Sequence, residues 1–272
     1  MRQLFAFFLV LAVIMSAEAL AQTPATVTAE WVPSRTVYKI SMLKAPNSQL
    51  AAIDGEMTDS SAITCDGSTV EQVMTLRFLP SDGGAEAVIK TSLTQWEASD
   101  GLSFRYINRT WANGQLVETN QGEAKLAGPG QGGSATSSLR KEPIALPPGT
   151  LFPTGLWHAV LRSASAGKSQ LETSFFDGAS TPSGGLSVVV ATIGAMRPLG
   201  KTKGLVQPSG AAVSWPVQMA HYAPGSSDGI PYGQSGFSLM ANGAAEAILL
   251  DIQQAKLRMD LTDYKVIPKP KC

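Results

Sequence analysis

Apolar and polar residues alternate with a period of two over short stretches of this chain, and turn-forming pairs separate the stretches. Residues 37–42 and 102–106 alternate in this way, and residues 72–79 set Val73, Leu76 and Phe78 among polar neighbours. Period-two alternation marks a strand with one buried face. Residues 116–119, 171–176 and the continuous apolar run 186–193 also read as strands, as do 236–240, 244–250, 256–261 and 264–267. Asp-Gly pairs begin at Asp54, Asp66, Asp82, Asp100, Asp177 and Asp228, and Asn-Gly pairs at Asn113 and Asn242. Such pairs accept positive φ, as tight hairpin turns require, and their aspartates serve first as turn formers. Short strands spaced by turn signals predict an all-β antiparallel meander.

One segment follows a helical period instead. Leu156, Trp157, Val160, Leu161 and Ala164 share a face, with Thr154 as a candidate cap and Gly167 as a stop. The spacing predicts a helix over 154–166 whose apolar face packs on the sheet. Residues 127–149 and 199–233 are rich in Gly, Pro and Ser and read as two long loops. Strands of the same character flank the first loop, which favours one domain over two, and no internal repeat is found.

The N-terminus changes the picture. Arg2, an apolar run from Leu4 to Met15, and Ala19-Leu20-Ala21 spell a secretory signal peptide cleaved after Ala21. The run is too short to span a hydrocarbon core of about 30 Å. The expectation is a signal peptide over 1–21, a single periplasmic β domain over 22–272, and no integral membrane segment after cleavage. Lys plus Arg and Asp plus Glu are 21 each, so the chain is neutral and offers no electrostatic footprint for nucleic acid. Two His and two Cys are too few for a zinc ribbon or a multi-His metal centre, and no cofactor is indicated. Export also changes how Cys65 and Cys272 read. An oxidising compartment favours their pairing, with free thiols or intermolecular pairing as the alternatives.

Chemical motifs are sparse. Gly128, Gly130 and Gly133 match the spelling of a dinucleotide fingerprint, but Pro129 and the following Ser/Gly-rich segment make them loop residues. Ser-x-x-Lys occurs at Ser138 and Ser165 without the partner motifs of penicillin-binding enzymes. His158 is the best single candidate for a general base, although a structural role fits it better, and His221 has less context still. No catalytic, cofactor-binding or metal-ligating residue is assigned. Trp96, beside Glu97 and Asp100-Gly101, together with Trp157 and His158, marks a candidate ligand or partner surface.

The order of motifs along the chain is more specific than any one of them. Ser34-Arg35-Thr36-Val37-Tyr38 precedes Ile53-Asp54-Gly55-Glu56-Met57 and Cys65-Asp66-Gly67. Trp96-Glu97-Ala98-Ser99-Asp100-Gly101 follows, then Gly122-Glu123-Ala124, Leu151-Phe152-Pro153-Thr154 and Phe176-Asp177-Gly178, and a terminal hairpin about Asn242-Gly243. With the signal peptide and the placement of the cysteines, this order resembles the cell-envelope-integrity protein EipB family of alphaproteobacteria over essentially the whole mature chain. The resemblance implies a periplasmic protein with a long curled antiparallel sheet, a β-spiral or incompletely closed barrel, and one packed α-helix. It implies a Cys65–Cys272 disulfide and a role in envelope integrity under stress without a catalytic activity. Ser34 stands where the family usually has a His, before Arg35.

A curled sheet leaves a concave face that side chains, the helix or a ligand must fill. The leading expectation is therefore a monomeric, non-enzymatic periplasmic protein that binds an envelope lipid or a periplasmic protein partner. The alternative is a periplasmic hydrolase acting on peptidoglycan or other envelope glycans, with His158 or a carboxylate pair at its centre.

Overall fold

Asn113 and Gly114 both take positive φ, 50° and 81°. That is the type I′ turn whose twist suits a hairpin, and the hairpin they close is one of a long series. The computed structural model describes residues 29–44, 49–181, 183–199, 208, 211–252 and 255–272; the predicted signal peptide over 1–21 and the middle of the predicted loop over 199–233 lie outside the described residues. Strands β1 (Ser34–Lys44), β2 (Leu50–Ile63), β3 (Gly67–Pro80), β4 (Ala87–Ala98), β5 (Ser103–Ala112) and β6 (Gln115–Leu126) form an antiparallel meander. Two short strands, β7 (Gly133–Ala135) and β8 (Ile144–Leu146), carry it to an edge. After helix α1 (Pro153–Ser165) come β9 (Gln170–Phe176), β10 (Leu186–Ile193), β11 (Arg197–Pro198) and β12 (Val213–Tyr222). The chain ends through β13 (Gly233–Met240), β14 (Ala245–Ile252) and β15 (Ala255–Val266).

The last strand pairs with the first. β15 lies antiparallel to β1, with Ser34 opposite Val266 and Met42 opposite Leu257. All the strands therefore belong to one sheet, in the order β8-β7-β6-β5-β4-β3-β2-β1-β15-β14-β13-β12-β10-β9, with β11 also on β12. The outer strands, β8 and β9, meet through the segment between them. Leu151 bridges Phe175 in parallel, donating its N–H to the Ser174 carbonyl (2.9 Å) and accepting from the Phe176 N–H (3.0 Å). Thr173 Oγ1 donates to the Gly149 carbonyl (3.0 Å) across the same seam. The sheet thus curls into a nearly closed barrel. Phe104, Tyr106, Phe152 and Phe176 pack their rings over the seam with centroids 5.2–6.4 Å apart, a range in which aromatic pairs attract.

Helix α1 fills part of the interior. Leu156, Val160, Leu161 and Ala164 are buried in one cluster with Val189, Val217 and Leu239 from β10, β12 and β13. Burying each large apolar side chain contributes about 1.5–3 kcal/mol. Thr154 does not cap the helix. Phe152 holds the N-cap position without a side-chain bond, and the free N–H groups of the first turn go to Glu97 of β4. Gly167, at φ 70°, follows the last turn as anticipated, and Lys168 N–H reaches back to the Ser163 carbonyl (2.9 Å).

Several sequence expectations are corrected. Residues 256–267 form most of one strand rather than two. The predicted surface loop over 127–149 contributes β7 and β8 and buries Ala135, Ile144 and Leu146. The predicted loop over 199–233 contains β12, which Pro216 had disguised. Proline is excluded from sheet interiors because it lacks an N–H. Here the Pro216 carbonyl accepts from Gly194 N–H (2.8 Å), just past the last residue of β10 and before β11 begins. The missing donor falls at that break in the neighbouring strand.

Candidate functional site

Side chains opposite each other on paired strands share a face, so the register shows what the barrel wall presents inward. Thr36 pairs with Asp59, Asp59 with Gln72, Gln72 with Leu93, Leu93 with Asn108, and Asn108 with Asn120. The next row runs Ser61, Val70, Gln95, Tyr106. Half of the inner wall, β1 to β6, thus carries a polar belt. The opposite wall is apolar, built from β9, β10 and β12–β15 and from α1.

The two walls enclose a cavity of about 390 Å³. Thr36, Asp59, Gln72 and Gln95 line its polar side; Met57, Val70, Leu93 and Ile248 supply apolar surface; Trp31 and Trp157 add aromatic surface. Asp59 Oδ2 accepts from Gln72 Nε2 (3.3 Å), and its Oδ1 has no hydrogen bond among the described residues. Asp177 Oδ1 accepts from Ala179 N–H (2.8 Å), closing a local turn, and no side chain among the described residues bonds its carboxylate. Burial pushes each carboxyl from 3.8 up to about 6, against the opposing pull of those bonds. The surface these aspartates retain faces the cavity.

Asp177 enters the interior on the segment after β9, and the polar belt holds that segment. Gln95 Nε2 donates to the Asp177 carbonyl (3.4 Å), and the amides of Asn108 (3.3 Å) and Asn120 (2.9 Å) donate to the Gly178 carbonyl. Only glycine fits at 178. Its φ is 70°, and an added Cβ would lie 2.4 Å from the Tyr106 ring.

Glu97, two residues beyond Gln95 on the inward face of β4, is 5% exposed and caps the helix. Its Oε2 accepts from Thr154 N–H (2.8 Å) and its Oε1 from Gly155 N–H (2.9 Å). A carboxylate at a helix N-terminus meets both unpaired donors and the positive end of the dipole. Burial nevertheless dominates and pushes Glu97 from 4.5 up to about 7, with the two N–H bonds pulling the other way.

The residues singled out from the sequence do not form one surface. Trp157 lines the cavity; its Nε1–H donates to the Gly243 carbonyl (2.7 Å) and its ring stacks on Phe237 (5.2 Å). Trp96 alternates with the inward Gln95 and Glu97 and instead lies under the guanidinium of Arg105, 5.1 Å from its ring. His158 lines a separate groove of about 310 Å³ with Arg162 and Lys269, edge-on to Trp31 at 5.3 Å. Burial, with Arg162 nearby, holds its imidazole below the usual value, and its Nε2 has no hydrogen-bond partner among the described residues. Trp31 lines both spaces and stands between them. The sequence reading did not single out Asp59, Gln72 or Gln95, and treated Asp177 only as a turn former.

Cys65, in the β2–β3 turn, is bonded to Cys272, with Cα atoms 5.6 Å apart. The tail leading to it is also held by Ile267 N–H on the Pro33 carbonyl (2.8 Å) and by Lys269 on Glu30 (2.6 Å). Among the described residues no helix is long and apolar enough to cross a membrane, and no three His, Cys, Asp or Glu side chains gather as a metal site.

Comparison with known proteins places this architecture. Residues 25–268 match the EipB-like family, and the chain belongs to it. The cell envelope integrity protein EipB of Brucella abortus (strain 2308) is 27% identical over 242 residues, covering 86% of this chain and 84% of that protein. A crystal structure of a β-barrel-like protein of a domain of unknown function, DUF1849, from Brucella abortus superposes with a TM-score of 0.78 at 25% identity. It covers 88% of this chain and all of that one. The predicted curled antiparallel sheet with one packed helix agrees with that β-barrel-like structure.

Proposed function

We propose that this chain supports cell-envelope integrity from the periplasm as a non-enzymatic binding protein whose ligand enters the barrel interior. The relative named for envelope integrity supports the cellular role. The signal-peptide pattern of residues 1–21 supports the location. The cavity carries the binding half of the reading: at about 390 Å³ it is within the range of small-molecule sites. It also has their composition, apolar walls with a few polar groups that fix orientation. His158 lies outside it.

The reading is tested by filling the cavity without touching its polar groups. Val70 lines it from β3, and Val70→Trp occupies the space a ligand needs. In a strain lacking the chromosomal copy, this variant is expected to accumulate and keep its disulfide, yet fail to restore growth on detergent or a cell-wall antibiotic. His158→Ala is expected to restore growth fully. Full complementation by folded Val70→Trp would overturn the binding reading, and loss of function in His158→Ala would revive the hydrolase alternative.

A further inference from the structure

We propose that the interior cavity is a site for a small organic ammonium ion with a short apolar or aromatic body. This rests on the binding reading above and adds the chemistry of the ligand. Asp59 and Asp177 bring two carboxylates to the cavity wall from different parts of the barrel, and neither is paired with a cation among the described residues. No Lys, Arg or His lines the cavity among the described residues, so the protein leaves this negative charge uncompensated. Buried charge is costly unless paired. An ammonium group that donates to a carboxylate of this wall offsets the desolvation that pushes both carboxyls up to about 6.

The remaining walls suit the rest of such a molecule. Trp31 and Trp157 supply aromatic surface that attracts a cation as well as an apolar body. Met57, Val70 and Leu93 receive the apolar part. Size narrows the class. At about 390 Å³ the space is at the small end of ligand sites. A diacyl lipid does not fit whole, and a phospholipid's ammonium carries a phosphate that both carboxylates oppose. The ligand class is therefore a free amine rather than a lipid headgroup.

Benzylamine, benzyl alcohol and phenylacetate probe the site with similar bodies and three different charges. Titration calorimetry on the oxidised protein at pH 7.5 is expected to show benzylamine binding at least ~10-fold more tightly than benzyl alcohol, with phenylacetate not binding; a ~10-fold ratio is the effect of about one good charge-assisted contact. Asp59→Asn and Asp177→Asn each keep the shape and remove the charge, and each is expected to bring the ratio toward one. Gln72→Lys places a fixed cation beside Asp59 and is expected to abolish the preference for benzylamine, which covers the case in which an asparagine variant fails to fold. Equal binding of benzylamine and benzyl alcohol, both lost in Val70→Trp, overturns the ammonium inference and leaves an interior ligand site standing. Binding of none of the probes also overturns the inference, while the complementation result judges the broader reading separately. Displacement of benzylamine by phosphatidylethanolamine vesicles but not by phosphatidylglycerol vesicles overturns the choice of a free amine.

Discussion

The protein is expected to lose stability as the pH rises from 5 to 8, and Glu97 is the largest single contributor to the loss. In the folded chain its carboxyl is pushed up to about 7, against 4.5 for an ordinary glutamate. Between those values the folded state holds a proton that the unfolded chain has released. The stabilising contribution is complete below about pH 4.5 and is lost as the pH climbs through about 7. A difference of 2.5 between the two values, at 1.36 kcal/mol each, corresponds to about 3 kcal/mol. Asp59 and Asp177 act in the same direction, each from 3.8 to about 6. The assay is urea unfolding followed by tryptophan fluorescence at pH 5, 6, 7 and 8. Glu97→Gln removes the titration and turns one acceptor oxygen into a donor facing a helix N–H. That variant starts about 1–2 kcal/mol below the native protein at pH 5 and declines less steeply, so the two curves converge or cross by pH 8. Parallel curves, or native stability that rises across this range, would refute the reasoning.

Three further perturbations have definite expected outcomes. Cys272→Ser opens a bridge between residues 207 apart; chain entropy alone sets the upper loss at about 5 kcal/mol, read as a fall in the urea midpoint that dithiothreitol reproduces in the native protein and not in the variant. Gly178→Ala forces a side chain into the Tyr106 ring at positive φ; the expected cost is about 2–3 kcal/mol, with loss of amide-exchange protection centred on residues 177–185. Phe152→Ala removes the ring stacked on Phe104 at the barrel seam; thermal unfolding is expected to show a loss of about 3–5 kcal/mol, and an unchanged midpoint would mean that the seam does not depend on that cluster.

The strands that alternation revealed and those it missed differ in one physical respect. β10 presents apolar residues and could be read directly, and β5, with Phe104 and Tyr106 facing inward between polar neighbours, alternates cleanly. β2 and β4 are among the longest strands, yet they passed unnoticed. Their inward faces carry Asp59 and Ser61, and Gln95 and Glu97, so inside and outside are both polar and the period-two signal cancels. The residues that make the cavity chemically distinctive therefore hid the strands that carry it. The carboxylates were illegible for a related reason: Asp177 satisfies every expectation of a turn aspartate through Oδ1, and only the folded chain shows it at the cavity wall. The helix was legible because its partner surface is wholly apolar, whereas its cap was not, since Glu97 lies 57 residues from Thr154.

The pairing of the first strand with the last sets how the molecule must be made. Arg35 meets Asp263 across that pair, 228 residues later in the chain. A polypeptide emerging N-terminus first can zip β1 through β6 into a ribbon of antiparallel strands. It then has to hold β1 unpaired along one side until the final strand arrives, and loops this long make the closing step slow. Until then the ribbon presents an open strand edge that invites neighbouring chains to pair. A chain stopped a dozen residues early lacks half of β15 as well as Cys272. Such a truncation leaves an unclosed and adhesive sheet rather than a slightly smaller protein, which makes the C-terminal strand the keystone of the ring.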